Sequence, residues 1–184
     1  STLILTLSPQ DWGTMFLSKH HYALTLAESG NTVYFLNPPD TTNKLQDRFM
    51  ISPSKVHDSL FVISHKLSFP YKLKFHWIYL FHYLMKQHIK KLLKEIGAGI
   101  DVVWSFDLGN LYPFRMFPET ALKIFHPVDE PLNEAAINSA EGSDIVFSIT
   151  WEILEKYKHL PVTRHQILHG VAPYFISSHK EYSP

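Results

Sequence analysis

Apolar residues fall in short, nearly unbroken runs separated by polar stretches that carry the prolines and glycines. "LILTL" (Leu3–Leu7), "VYFL" (Val33–Leu36), "FVIS" (Phe61–Ser64) and "IVFSI" (Ile145–Ile149) are too continuous for strands with one wet face. They fit strands buried on both faces, as in parallel sheets. β-Branched and aromatic enrichment predicts strands over Thr2–Leu7, Thr32–Leu36, Leu60–Ser64, Asp101–Ser105, Leu122–His126, Asp144–Ile149 and Gln166–His169. Between many of them the spacing turns helical, over Phe16–Ser29, Phe75–Ile96, Glu134–Glu141 and Trp151–Tyr157. This alternation predicts an α/β fold: a doubly wound, mostly parallel sheet of about seven strands with helices on both faces. Gly30-Asn31 closes the first helix and Gly97 the long one, while Pro38-Pro39 stops the second strand, since proline cannot donate to a ladder.

In such sheets ligands lie outside the carboxyl ends of the strands. The residues that matter are then Ser8–Lys19, Asn37–Asp40, His65-Lys66, Phe106–Asn110, Pro127–Glu130, Thr150–Glu152 and Gly170–Ala172. The first of these, within "SPQDWGTMFLSKHH", has Gly13 as its lone glycine, which argues against a dinucleotide fingerprint. Lys19, His20 and His21 stand at a helix start, where backbone N–H groups and the dipole favour a phosphate or carboxylate. Helical spacing also turns His20 inward, so packing beside Ala23 and Ala27 is its other use. In "KIFHPVDE", His126 ends a strand with Asp129 and Glu130 beyond it. A histidine there can donate to a hydroxyl or phosphate in either charge state, or simply pair with Asp129 and stiffen the loop. In "WSFDLGN", Asp107 can serve as base or hydroxyl acceptor, or begin a turn for local backbone reasons.

Composition narrows the classes. A chain of 184 residues, 45% hydrophobic and 18% charged, supports one soluble domain with a real core. Zero formal net charge provides no global field for nucleic acid. The absence of cysteine excludes disulfides, thiolate metal sites and a cysteine nucleophile, and points to a reducing compartment. No apolar run reaches the roughly 20 residues of a membrane helix, and no basic leader precedes the first strand, so a cytoplasmic location is the expectation. The twelve histidines fall in no recognised metal pattern, and no Gly-x-Ser-x-Gly elbow occurs, so neither a metal site nor a serine hydrolase is expected. Charge is uneven in one place. Between Asp58 and Glu95 there is no acidic residue, while Lys66, Lys72, Lys74, Lys86, Lys90, Lys91 and Lys94 interleave with Phe75, Trp77, Tyr79, Phe81 and Tyr83. That pattern suits either a solvated helix face or contact with an anionic membrane, with Lys72, Lys74, Lys86, Lys90 and Lys91 as the membrane-facing candidates.

Four stretches, in order, resemble the N-terminal domain of GT-B fold glycosyltransferases of the "glycosyl transferases group 1" type. They are "SKHHYALTLAESGNTVYFLNPP", "ALKIFHPVDE", "EGSDIVFSITWEILEKY" and "QILHGVAPYF". The chain departs from that pattern where Trp12-Gly13 replaces a glycine pair, and where His169 and Ala172 replace an asparagine and an aspartate. The resemblance implies a Rossmann-like acceptor-side domain over residues 1–172 and an exit segment over 173–184. A second domain, holding a nucleotide-sugar and a paired-glutamate motif, lies outside this chain, which is then inactive alone. The resemblance carries the first-loop role onto Trp12, Gly13 and Lys19 and makes His126 the catalytic candidate, while His20, Asp107 and Asp129 join the acceptor-side candidates from their own positions after the strands. The implied partners are a nucleotide-sugar and a polysaccharide or lipid-linked acceptor; the lysine-rich window adds an anionic surface at the inner face of the plasma membrane, and no metal, cofactor or nucleic acid is expected. Two alternatives stay open: a non-catalytic module that binds an anion or lipid headgroup, and a complete small nucleotide-binding enzyme.

Overall fold

A computed structural model describes residues 1–13 and 17–168. The helix start at Phe16, the strand end at His169, the Gly170–Ala172 loop, the domain end at 172 and the exit segment lie outside the described residues. Among those residues one sheet contains eight strands: β1 Leu3–Leu7, β2 Thr32–Leu36, β3 Phe49–Pro53, β4 Leu60–His65, β5 Val102–Ser105, β6 Leu122–Phe125, β7 Ile145–Ser148 and β8 Thr163–Gln166. Helices α1 Ser18–Glu28, α2 Leu73–His76, α3 Ile78–Ile96, α4 Glu134–Asn138 and α5 Trp151–Glu155 connect them, with a 3₁₀ turn at Phe114–Met116.

The strand order is β3-β4-β2-β1-β5-β6-β7-β8. Every pairing is parallel except β3 with β4. Because β1 sits between β2 and β5, Ile4 aligns with Val33 on one side and Val102 on the other. The chain therefore reverses its direction of travel across the sheet between β1 and β5, and the crevice at that switch point is where such sheets take ligands.

Side chains alternate across the sheet. Leu5 and Leu7 face a core built with Phe81, Met85, Ile89 and Leu92 of α3 and Leu154 of α5. Ile4, Val33 and Phe35 face the other way, onto Ala23 and Ala27 of α1. The small alanines let α1 lie close to the sheet. One face thus carries α1 and the other α3 and α5, so the expected doubly wound α/β architecture holds.

Local signals explain the boundaries. Gly97 ends α3 at φ 72°, a left-handed conformation that glycine adopts without a Cβ penalty. Asn133 caps α4 by accepting from the Ala136 amide at 2.9 Å, and Thr150 caps α5 by accepting from Ile153 at 3.3 Å. Three expectations need correction. The helix expected over Phe75–Ile96 breaks at Trp77, whose φ of −138° leaves the helical region, so α2 and α3 are separate. The antiparallel hairpin strand β3 adds an edge that the apolar pattern missed. The last strand begins at Thr163 rather than Gln166, because its residues are mostly exposed and polar and the apolar signal lies just beyond them.

Candidate functional site

The carboxyl ends of β1, β2 and β4 are tied together by Asn37. Its side-chain oxygen accepts from the Trp12 amide at 2.8 Å, its amide nitrogen donates to Ser64 Oγ at 3.3 Å, and its carbonyl accepts from His65 Nε2 at 2.9 Å. A groove of about 440 Å³ opens there, lined by Asp11, Asn37, Asp40, Lys44, Ser64 and His65 with neighbouring loop residues. Asp40 shapes its outer wall. The Thr42 hydroxyl, then the Leu45 and Thr42 amides, hydrogen-bond its carboxylate and hold its pKa down at about 2. The strand-end rule pointed to Asn37–Asp40 and His65, but no motif singled them out as a groove. Its legible signal was the Asn-Pro-Pro-Asp sequence directly after a buried strand.

The first loop is fastened from inside. His20 is buried, its Nδ1 accepts from the Leu17 amide at 3.0 Å, and its Nε2 therefore donates to the Asp11 carbonyl at 3.0 Å. Burial is the main cause that lowers its pKa, so the neutral ring is favoured. Both ring nitrogens are engaged in closing the loop, which makes His20 a positioning residue rather than an open anion contact. Trp12 packs edge-on against Phe35 at 4.9 Å and His20 at 5.3 Å, and is half-buried. Gly13 is exposed, and among the described residues a Cβ there would meet the Asp11 carbonyl at 3.9 Å, an ordinary contact.

The first turn of α1 meets the loop after β6. Lys19 is buried; desolvation lowers its pKa, and the Asp129 charge pulls it back up. The two candidates therefore share one electrostatic neighbourhood. One turn along α1, Tyr22 lies edge-on to the His126 ring at 5.1 Å. Phe106 at 5.0 Å, with Trp104 and Phe147 at 6.1 Å, completes an aromatic box around it. The His126 amide donates to the Ser105 carbonyl at 2.8 Å and locks its place at the end of β6. His126 is 1% exposed, so its ring sits beneath the aromatic wall rather than at the open edge.

Asp107 stands apart from this cluster. Its carboxylate accepts from the Gly109 and Leu111 amides, each at 2.8 Å, and so holds its own loop. Burial raises its pKa, while those amides and Lys74 oppose the rise. Gly109 lies in close approach to both side chains: a Cβ would come within 2.9 Å of Asp107 Oδ1 and 3.3 Å of Lys74 Nζ, so they would have to shift. Lys74 is thereby turned toward Asp107, unlike the exposed Lys72, Lys86, Lys90 and Lys91. Among the described residues no group of His, Asp or Glu is arranged to hold a metal ion, and no helix is long and apolar enough to cross a membrane.

Behind the groove lies a buried polar chain. His65 Nδ1 is 2.8 Å from His88 Nε2, and Tyr112 Oη is 3.2 Å from His65 Nε2. Since His65 Nε2 must donate to the Asn37 carbonyl, its Nδ1 accepts from His88. Burial drives both pKa values down, to about 4 for His65 and about 3 for His88, so the pair is neutral.

No family model matches the sequence, and no curated protein matches it. Solved structures do. Sucrose-phosphate synthase from Thermosynechococcus elongatus is similar over 93% of this chain and 49% of its own, at 10% identity and a TM-score of 0.60. A shorter form of that protein is covered over 95% of its length, at 12% identity and a TM-score of 0.56. A trehalose-6-phosphate structure from E. coli, bound with UDP-2-fluoro glucose, is similar over 99% of this chain and 52% of its own, at 12% identity and a TM-score of 0.61. The chain spans about half the length of the first and the last of these. The eight-stranded, mostly parallel sheet thus has the fold these structures share, that of one half of the GT-B architecture.

Proposed function

We propose that the chain is the acceptor-side domain of a glycosyltransferase that moves a sugar from a nucleotide donor to a polysaccharide or lipid-linked acceptor. One observation carries this reading: Lys19, Tyr22, His126 and Asp129 converge at the carboxyl edge of a sheet whose neighbours include a protein bound with UDP-2-fluoro glucose. In this reading the donor site belongs to a second domain, in keeping with neighbours twice as long. This domain contributes one wall. The polar groove by Asn37 and Asp40 receives hydroxyl groups of the acceptor, with Trp12 and Gly13 at its rim. His126 is the catalytic candidate: its buried ring donates to the reacting sugar or the donor phosphate once the aromatic side chains that cover it turn aside on substrate binding. Lys19 and Asp129 set the charge beside it. Closing two such walls positions the reactants and excludes water, which one wall alone does not do.

The test is His126→Ala in the intact protein. The expected result is a fall in kcat of about 100-fold or more, the range of a positioned proton donor, with acceptor KM little changed. Near-unchanged turnover by a folded variant rejects the role.

A further inference from the structure

The expected lysine-rich surface has a definite geometry. At 3.6 residues per turn, Tyr79, Tyr83, Lys86, Lys90 and Lys94 fall within a sector of about 80° on α3. The buried side chains Phe81, Met85, Ile89 and Leu92 occupy the opposite side of the helix. The outward stripe is aromatic at its start and basic along its remainder. Just before it, Phe75 and Trp77 are 70% and 65% exposed, and Tyr79 and Tyr83 are 87% and 61% exposed. Scattered exposed apolar residues need no explanation, but a contiguous aromatic group at one helix end does.

The charges around it are unopposed. No acidic side chain occurs between Asp58 and Glu95. Lys66 donates to the Leu45 and Gln46 carbonyls and Lys74 turns to Asp107, which leaves Lys72, Lys86, Lys90, Lys91 and Lys94 exposed. Among the described residues, none of these five makes an ion pair.

We propose that this face, Phe75, Trp77, Tyr79 and Tyr83 followed by Lys86 and Lys90, seats in the headgroup layer of an anionic bilayer. Tryptophan and tyrosine place an apolar body and a polar tip at a membrane interface, and flanking lysines reach lipid phosphates. A second copy of the chain is a poor occupant, because a self-complementary contact would bring two lysine sets together. A protein interface core is depleted in lysine, whereas three of the five stripe residues on α3, Lys86, Lys90 and Lys94, are lysines. Because β4 and β5 run parallel, α3 starts at the carboxyl edge of the sheet and returns to the amino edge. Its aromatic end therefore lies at the same edge as the groove. The proposal stands independently of the transfer reading.

The experiment is co-sedimentation of the intact protein with vesicles of phosphatidylcholine alone or of equal parts phosphatidylcholine and phosphatidylglycerol. At low ionic strength the protein sediments with the anionic vesicles and not with the neutral ones. Salt near 1 M, where the screening length is about 3 Å, releases most of it. Trp77→Ser with Tyr79→Ser and Tyr83→Ser abolishes sedimentation. Lys86→Gln with Lys90→Gln weakens it about 25-fold, at about fivefold per lysine near an anionic surface. If the aromatic variant does not fold, the lysine variant decides. No sedimentation with anionic vesicles at low salt overturns the proposal, and so does wild-type binding by the folded variants. A dimer lost on substitution while vesicle binding persists assigns the face to a second copy and equally overturns it.

Discussion

At the scale of residues, the polar side chains of this domain divide into those that hold the site and those that line it. His20 and Asn37 hold it, Asn37 also lining the groove, while Asp107 fastens its own loop apart from them; each is buried. The His65–His88 pair has a measurable consequence. Both folded pKa values lie below the ordinary 6.5, so the unfolded chain takes up these protons first. Stability is full above that pH and erodes as pH falls, by about 1.4 kcal/mol per pH unit for each histidine. The erosion stops only where the folded rings themselves protonate, near 4 and 3. The lowered pKa values of His20 and His82 act in the same direction. Urea unfolding across this window is expected to show a midpoint that drops steadily with acid, and a flat profile would contradict burial of the pair. Residue identity alone does not reveal this relay. Sequence spacing turns His20 inward, but it cannot show that His65 and His88, on a strand and a helix, meet end to end.

At the scale of elements, what was legible follows from local physics. Continuous apolar runs marked the buried strands, because parallel strands covered on both faces have no polar side to show. Glycine and cap residues marked the helix ends. The failures were equally physical. Strand β3 ends in Pro53 and pairs on one side only, so it needed neither a long apolar run nor a full set of donors. Strand β8 is held by pairing to β7 rather than by burial, and its Thr-Arg-His-Gln sequence carries no hydrophobic signal. The break between α2 and α3 is set by the Trp77 backbone, which periodicity does not encode. The C-terminal stop of α3 is testable at Gly97. Gly97→Ala is expected to cost about 1 kcal/mol, since its φ of 72° strains any residue with a Cβ. An unchanged melting temperature would mean that the cap relaxes.

At the scale of the whole molecule, the aromatic box, the fastened first loop and the groove lie along one edge of one sheet, facing away from the helices' packed cores. In the proposed reading this wall carries contacts for an acceptor and few for a nucleotide. If the proposed reading holds, titration of the 184-residue chain with UDP-glucose in a calorimeter gives no measurable heat. Tight binding by the chain alone would instead favour a complete small nucleotide-binding enzyme. The order of strands also bears on how the sheet is made. β1 needs β5 as its second neighbour, and the Leu3 amide donates to Asp101 Oδ2 at 2.7 Å across that junction. At ordinary synthesis rates the ribosome takes roughly 5–20 s to travel from one to the other. During that interval β1, β2 and β4 can pair, but the far side of β1 is an open edge that can capture another chain. After β5 arrives, β6, β7 and β8 each dock beside the strand made just before. A strand that finishes fully enclosed thus spends its first seconds as a border, and holding nascent chains apart matters most before residue 102 emerges.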